Sequence, residues 1–118
     1  MKAYVIHIPT SKPSVESAHR VIETAKEFGN VDVELWDGVH RDGSFRKMYN
    51  KGLRLRKFNQ WESNSYLDCI VGCFMSHFSL WEESVRTNER IMVLEHDARF
   101  VEEYRDIKFE GILNIGRP

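Results

Sequence analysis

The feature that most limits the fold is the run Ala3-Tyr4-Val5-Ile6-His7-Ile8, β-rich and almost continuously apolar. A strand with one wet face alternates apolar and polar residues, whereas an unbroken apolar run suits a central parallel strand covered on both faces. Pro9, Ser11, Lys12 and Pro13 then break the run into a loop. From Ser14 the apolar residues Val15, Ala18, Ile22 and Ala25 recur at helical spacing, and Gly29-Asn30 supplies the stop. Val31, Val33 and Leu35 alternate with Asp32 and Glu34, which predicts a second strand ending at Trp36, with Asp37-Gly38 turning the chain. Strand, helix, strand in this order opens a parallel α/β sheet. Ligands of such sheets collect beyond the carboxyl ends of the strands. The loop 9–13 and the Asp37-Gly38 turn therefore lie on the candidate ligand edge.

Residues 41–57 differ in character. They hold seven basic side chains and one acid, Asp42, and Gly43 and Gly52 interrupt a poor periodicity. They predict a long excursion with room for a short helix. Such a segment is either a solvated loop or a flap that contacts anions, since a local positive field attracts phosphates. The clearest element is 65–87. Ser65 followed by Asp68 resembles a capping box. Leu67, Ile70, Val71, Phe74, Phe78, Trp81 and Val85 then follow helical spacing, a stripe assigned to the core, while Asp68, Ser79, Glu82, Glu83 and Arg86 face water. Gly72 inside this helix costs about 1 kcal/mol against alanine, which points to a close backbone approach. Ile91-Met92-Val93-Leu94 predicts a third strand, 98–104 a short helical or irregular piece, and Ile112, Leu113 and Ile115 a last strand.

The chain has 118 residues, enough for one domain. Its 17 Lys and Arg against 18 Asp and Glu produce no global field that would select nucleic acid or an anionic membrane. No apolar run reaches the roughly 18 residues of a membrane span. The first apolar run, broken at Pro9, is too short for a signal peptide. Cys69 and Cys73 stand four apart on the long helix, which separates their Cβ atoms by roughly 5–6 Å, against about 3.8 Å in a disulfide. Two buried thiols in a reducing cytoplasm are therefore expected. A metal pair on that helix needs further ligands that the sequence does not locate.

Glu95-His96-Asp97 follows the third apolar run. Two acids one residue apart can both approach a hard divalent cation, and oxygen ligands of this kind suit Mg²⁺ or Mn²⁺. The same pair also suits a helix N-terminus, where the macrodipole favours acids. His77 reads either as a buried histidine bonded to backbone or as a site residue. His96 reads as a ligand, a base or a spectator.

Three blocks narrow these alternatives: Val71-Gly72-Cys73-Phe74-Met75-Ser76-His77, then Leu80-Trp81-Glu82, then Ile91-Met92-Val93-Leu94-Glu95-His96-Asp97. In order, spacing and helix-then-strand context they resemble family 25 glycosyltransferases, the lipopolysaccharide and collagen-type family. Trp36-Asp37-Gly38-Val39 looks like that family's Asp-Gly turn. His96-Asp97-Ala98 departs from the common Asp-Asp-Val, but the acid-x-acid spacing is kept; the arginine that usually follows the first strand has only Arg20 as a loose counterpart.

The resemblance implies a GT-A-like (Rossmann-like) nucleotide-diphosphosugar transferase fold, a mostly parallel sheet flanked by helices. It implies that residues 1–118 form a single α/β domain corresponding to the donor-binding half, with the acceptor half and the catalytic base expected beyond Ile115-Gly116. It implies transfer of a hexose, galactose or glucose, from a UDP-sugar to a saccharide or glycolipid acceptor in lipopolysaccharide or surface-glycan assembly. Glu95 and Asp97 would hold Mn²⁺ or Mg²⁺, and Ile8, Pro9, Thr10, Asp37 and Glu95 would line the donor site. His77 and His96 are the candidates for catalytic work, and the basic stretch from Arg54 to Lys57 would close over phosphates. A cytoplasmic location is expected, with room for peripheral membrane contact and a homo-oligomer. Three rivals stand beside this reading. One is a nucleotide-sugar-binding module that transfers nothing. Another is a small metal-dependent hydrolase using Glu95, His96 and Asp97. The last is an interaction protein with a relic site.

Overall fold

The computed structural model describes residues 1–56 and 65–116. Three parallel strands, β1 (Lys2–His7), β2 (Val33–Asp37) and β3 (Ile91–Leu94), form one sheet in the order β2-β1-β3. The apolar first run is thus the central strand, pairing Val5 with Leu35 on one side and with Leu94 on the other. Strand alternation then divides the core. Ala3, Val5, Val33 and Met92 face helix α1 (Lys12–Thr24) through Ala18 and Val21. Tyr4 and Ile6 face the opposite way and pack with Leu80 of helix α3 (Leu67–Thr87). The α/β class with a parallel sheet between helices is as expected.

Helix α1 starts two residues before the expected Ser14. Ser11 is its N-cap, and Pro13 sits in the first turn, where a missing N–H costs nothing. Ser14 is buried, and its Oγ accepts the Ile8 amide at 2.9 Å, which ties the end of β1 to the helix. The helix runs on through a π-helical turn, Ala25–Gly29, and stops at Asn30 in the left-handed region. Val31 is spent closing that turn on the Ala25 carbonyl, so β2 begins at Val33.

The excursion folds into a 3₁₀ turn, Arg41–Gly43, and a short helix α2 (Ser44–Asn50), which packs on α3 through Met48, Val71 and Met75. The predicted capping box does not form. The N-cap of α3 is Tyr66 without a side-chain cap, and the Asp68 carboxylate instead accepts two bonds from Arg41, at 3.0 and 2.9 Å. The carboxylate also accepts the adjacent Cys69 amide at 2.8 Å, so it serves the first turn of α3 and the charge-assisted guanidinium pair together.

The buried stripe of α3 is also rotated from the expected one. Leu67, Val71, Gly72, Met75, Ser76 and Leu80 are inside, while Ile70, Phe74, Trp81 and Val85 are exposed. Gly72 sets this rotation: a Cβ there would lie 2.8 Å from the Val39 carbonyl oxygen, so the helix seats its smallest residue against backbone. Phe74, Phe78 and Trp81 pack on one another with ring centroids 5.9–6.4 Å apart; Phe78 also packs against the Val71 and Met75 core, as expected, whereas Phe74 and Trp81 are exposed.

Residues 98–104 are irregular, yet Ala98, Phe100 and Tyr104 close the α1 side of the core. The last strand is not formed: 112–115 pair with nothing as a strand, and Ile112, Leu113 and Ile115 are exposed. An apolar run becomes a strand only where a ladder partner accepts its backbone. Among the described residues, no helix is long and apolar enough to cross a membrane.

Candidate functional site

The parallel strands bring three carboxyl ends to one edge. Ile8 follows β1, Asp37 ends β2 and Glu95 follows β3. The N-terminal half of α3 reaches the same edge, because α3 runs against the strands before turning into β3. It is fastened there by two serines. Ser76 Oγ accepts the Val39 amide at 2.8 Å and donates to the Gly72 carbonyl, and Trp36 Nε1 donates to Ser79 Oγ at 2.9 Å.

That placement sets His77 and Cys73 beside Glu95. His77 Nε2 donates to Glu95 Oε1 at 3.2 Å, and Cys73 Sγ lies 3.8 Å from the same oxygen. His77 is therefore neither a buried histidine bonded to backbone nor a remote residue. Cys73, expected to be buried, is exposed, and Cys69 is half-buried, because the buried stripe of α3 runs through Leu67, Val71, Gly72, Met75 and Ser76 instead; both thiols are free. Desolvation of its sulfur, and then the Glu95 carboxylate, push the Cys73 thiol up from its ordinary value. The sequence offered Cys73 only as half of a cysteine pair. Its spacing of four from His77, on one helix face, was the signal that could have joined them.

Glu95 to Ala98 is a tight turn, closed by the Ala98 amide on the Glu95 carbonyl at 3.0 Å. His96 and Asp97 occupy its corners, both exposed. Asp97 does not join the Cys73–His77–Glu95 group. Among the described residues, no lysine or arginine neutralises Glu95 or Asp97. Two carboxylates on one turn, Glu95 held by His77 and Asp97 exposed, are oxygen donors of the kind that suits the hard divalent cation the resemblance implies.

On the β1 side, Ile8 to Ser11 is a turn, with the Ser11 amide donating to the Ile8 carbonyl, and Pro9 and Thr10 exposed at its tip. Asp37 is exposed and lies 3.6 Å from His7 Nε2. His7 is buried and donates through Nδ1 to the Trp36 carbonyl at 3.0 Å. It was not singled out from sequence, where it is one polar residue inside an apolar run. A cleft of about 680 Å³ opens on the far side of Asp37, bounded by Trp36, Lys47, Lys51, Phe78 and Glu82. It excludes Glu95, Ile8, Pro9 and Thr10, so only Asp37 links it to the sequence-predicted set.

Of the basic excursion, Arg41 is held by Asp68, Lys51 by Glu82 at 2.8 Å, and Arg54 lies over the Tyr49 ring at 4.6 Å. Arg46 and Lys47 remain exposed, and Lys57 lies outside the described residues. Arg20 bonds Ser17 on the surface of α1, away from the strand ends.

Residues 4–113 match the family model described as Glycosyltransferase family 25 (LPS biosynthesis protein). The chain is similar to a protein named Glycosyltransferase 25 family member from Anopheles gambiae, 36% identical over 76 residues, which is 59% of this chain and 12% of that protein. It is similar to Procollagen galactosyltransferase 2 of Mus musculus, 32% identical over 74 residues, 62% of this chain and 12% of that protein. Over a shorter stretch of 36 residues, 30% of this chain and 6% of the relative, it is 53% identical to Inactive glycosyltransferase 25 family member 3 of Mus musculus. The chain thus spans no more than 12% of the length of each of these relatives. No solved structure gives a significant match to it. The family match runs from β1 to the segment beyond β3 and takes in the whole strand-end edge, and on it the chain belongs to glycosyltransferase family 25.

Proposed function

We propose that this chain is the donor-binding portion of a glycosyltransferase of GT-A type, acting in transfer of a hexose from a UDP-sugar to a saccharide or glycolipid acceptor. The observation that carries this reading is the convergence of Ile8, Asp37 and Glu95 at the carboxyl edge of one parallel sheet, within a chain that belongs to the family. Order β2-β1-β3 reverses the direction of strand addition between β1 and β3, and crevices at such reversals bind nucleotides in open α/β sheets.

Glu95 and Asp97 would hold Mn²⁺ or Mg²⁺, which when bound supplies Lewis-acid stabilisation of a departing diphosphate. The chain's own side chains have separate tasks. His77 fixes the Glu95 carboxylate by a charge-assisted hydrogen bond. The 8–11 turn presents Pro9 and Thr10 to a base and ribose, and Asp37 accepts from ribose hydroxyls. His96, at the corner of the 95–98 turn, faces solvent and holds no proton for the reaction in this reading.

Similarity to a relative named inactive supports a second reading, a module that holds a nucleotide sugar and transfers nothing. Calorimetric titration of UDP, with Mn²⁺ and then with EDTA, tests the donor site on wild type, Glu95→Ala and Asp97→Ala. Binding that requires the metal and both acids supports the site; a folded protein that ignores UDP removes it. Appearance of the hexose on the acceptor, with UDP released from a UDP-hexose, then separates the two readings.

A further inference from the structure

Glu95 faces two partners that a hard-cation site does not need. Cys73 and His77 stand one turn apart on α3, and their side chains meet the same carboxylate oxygen from the helix side. One sulfur, one imidazole nitrogen and one carboxylate oxygen lie within 4.8 Å of one another. Bond lengths of about 2.3 Å to sulfur and about 2.0–2.2 Å to nitrogen and oxygen place tetrahedral neighbours about 3.4–3.6 Å apart. The observed separations from Glu95 Oε1, 3.8 Å to Cys73 Sγ and 3.2 Å to His77 Nε2, are each close to that spacing. Two ligands from adjacent helical turns are pre-positioned by α3, and the third comes from the end of a packed strand.

We propose that Cys73, His77 and Glu95 form a site for a borderline-soft divalent cation of the zinc class, with a fourth position open to water or ligand. A thiolate and an imidazole select such a cation over Mg²⁺ and Mn²⁺, which the Glu95/Asp97 pair suits. On binding, the Cys73 thiol proton leaves to solvent and His77 carries its remaining proton on Nδ1, so that Nε2 coordinates. This goes beyond the donor-site reading and depends on neither UDP nor Asp97.

Cobalt(II) is the probe, titrated into the reduced 118-residue protein without nucleotide. The site predicts a thiolate-to-cobalt charge-transfer band and tetrahedral visible bands saturating at one equivalent, both displaced by Zn²⁺, which a tetrahedral thiolate–imidazole shell suits. Cys73→Ser abolishes the charge-transfer band, while Cys69→Ser and Asp97→Ala keep it. His77→Gln weakens Zn²⁺ binding by at least the roughly 10–100-fold that loss of an outer partner costs. Folding of each variant is checked by circular dichroism. A folded wild type that shows no thiolate band, or a band that survives Cys73→Ser, overturns the proposal. Cobalt binding without any UDP binding would sink the donor site and leave this one standing.

Discussion

His77 Nε2 lies 3.2 Å from Glu95 Oε1, a bond that joins helix α3 to the end of β3 across 18 residues of sequence. The helix block and the acid block that mark the family are thus one structural unit. His77→Ala removes the donor that orients Glu95. The expected result is Mn²⁺-dependent UDP affinity weakened by about 10–100-fold with little change in stability, since His77 is only partly buried. Calorimetry beside urea unfolding separates the two.

Gly72→Ala tests the seat of the helix. A Cβ would meet the Val39 carbonyl oxygen at 2.8 Å, and backbone cannot swing aside as a side chain can. The substitution gains helix propensity and still destabilises, by about 1–3 kcal/mol, as overpacking does. Urea unfolding at neutral pH measures it.

Ser76→Ala leaves the buried Val39 amide without its acceptor. The expected cost is about 1–3 kcal/mol, the desolvation of an unpaired buried donor. Hydrogen exchange at Val39 should quicken in the variant while exchange in β1 falls only with global stability.

The rotated stripe of α3 predicts a contrast. Leu80 is fully buried between Tyr4 and Ile6, and Leu80→Ala costs about 2–5 kcal/mol. Val85 is 81% exposed, and Val85→Ala stays within about 0.5 kcal/mol. Equal costs in thermal or urea unfolding would contradict the orientation of the helix.

Asp68 ties the start of α3 to Arg41, whose hydrogen bond holds the carboxyl below its ordinary value, while the same bond raises Arg41. A depressed acid contributes stability that is present above its unfolded pKa and lost as pH falls through the folded one. Wild type should therefore exceed Asp68→Asn in stability near neutral pH, with the gap closing below about pH 4. Both side chains are part exposed, so the gap also shrinks with added salt. Urea unfolding over a pH series checks the sign.

Much of this fold is written locally. The runs at β1 and β3 and the alternation at β2 are local strand signals, and each found a ladder partner in the sheet. The same reasoning failed at 112–115, where apolar residues found no ladder to join. It failed at Asp68, because capping is a local rule and Arg41 is 27 residues away. The Cys73–Glu95 contact spans 22 residues and depends on where α3 docks, which Gly72 and Ser76 decide through a backbone group after β2. Spacing could place Cys73 and His77 on one face; only the packing shows that Glu95 meets them there.

The most direct test of the donor site is paramagnetic broadening of amide NMR signals by Mn²⁺ in the presence of UDP. The account predicts that broadening centres on Glu95 to Ala98 and extends to Ile8, Thr10 and Asp37, and that Asp97→Ala abolishes it. Broadening centred elsewhere, or a pattern unchanged by the loss of Asp97, would contradict it.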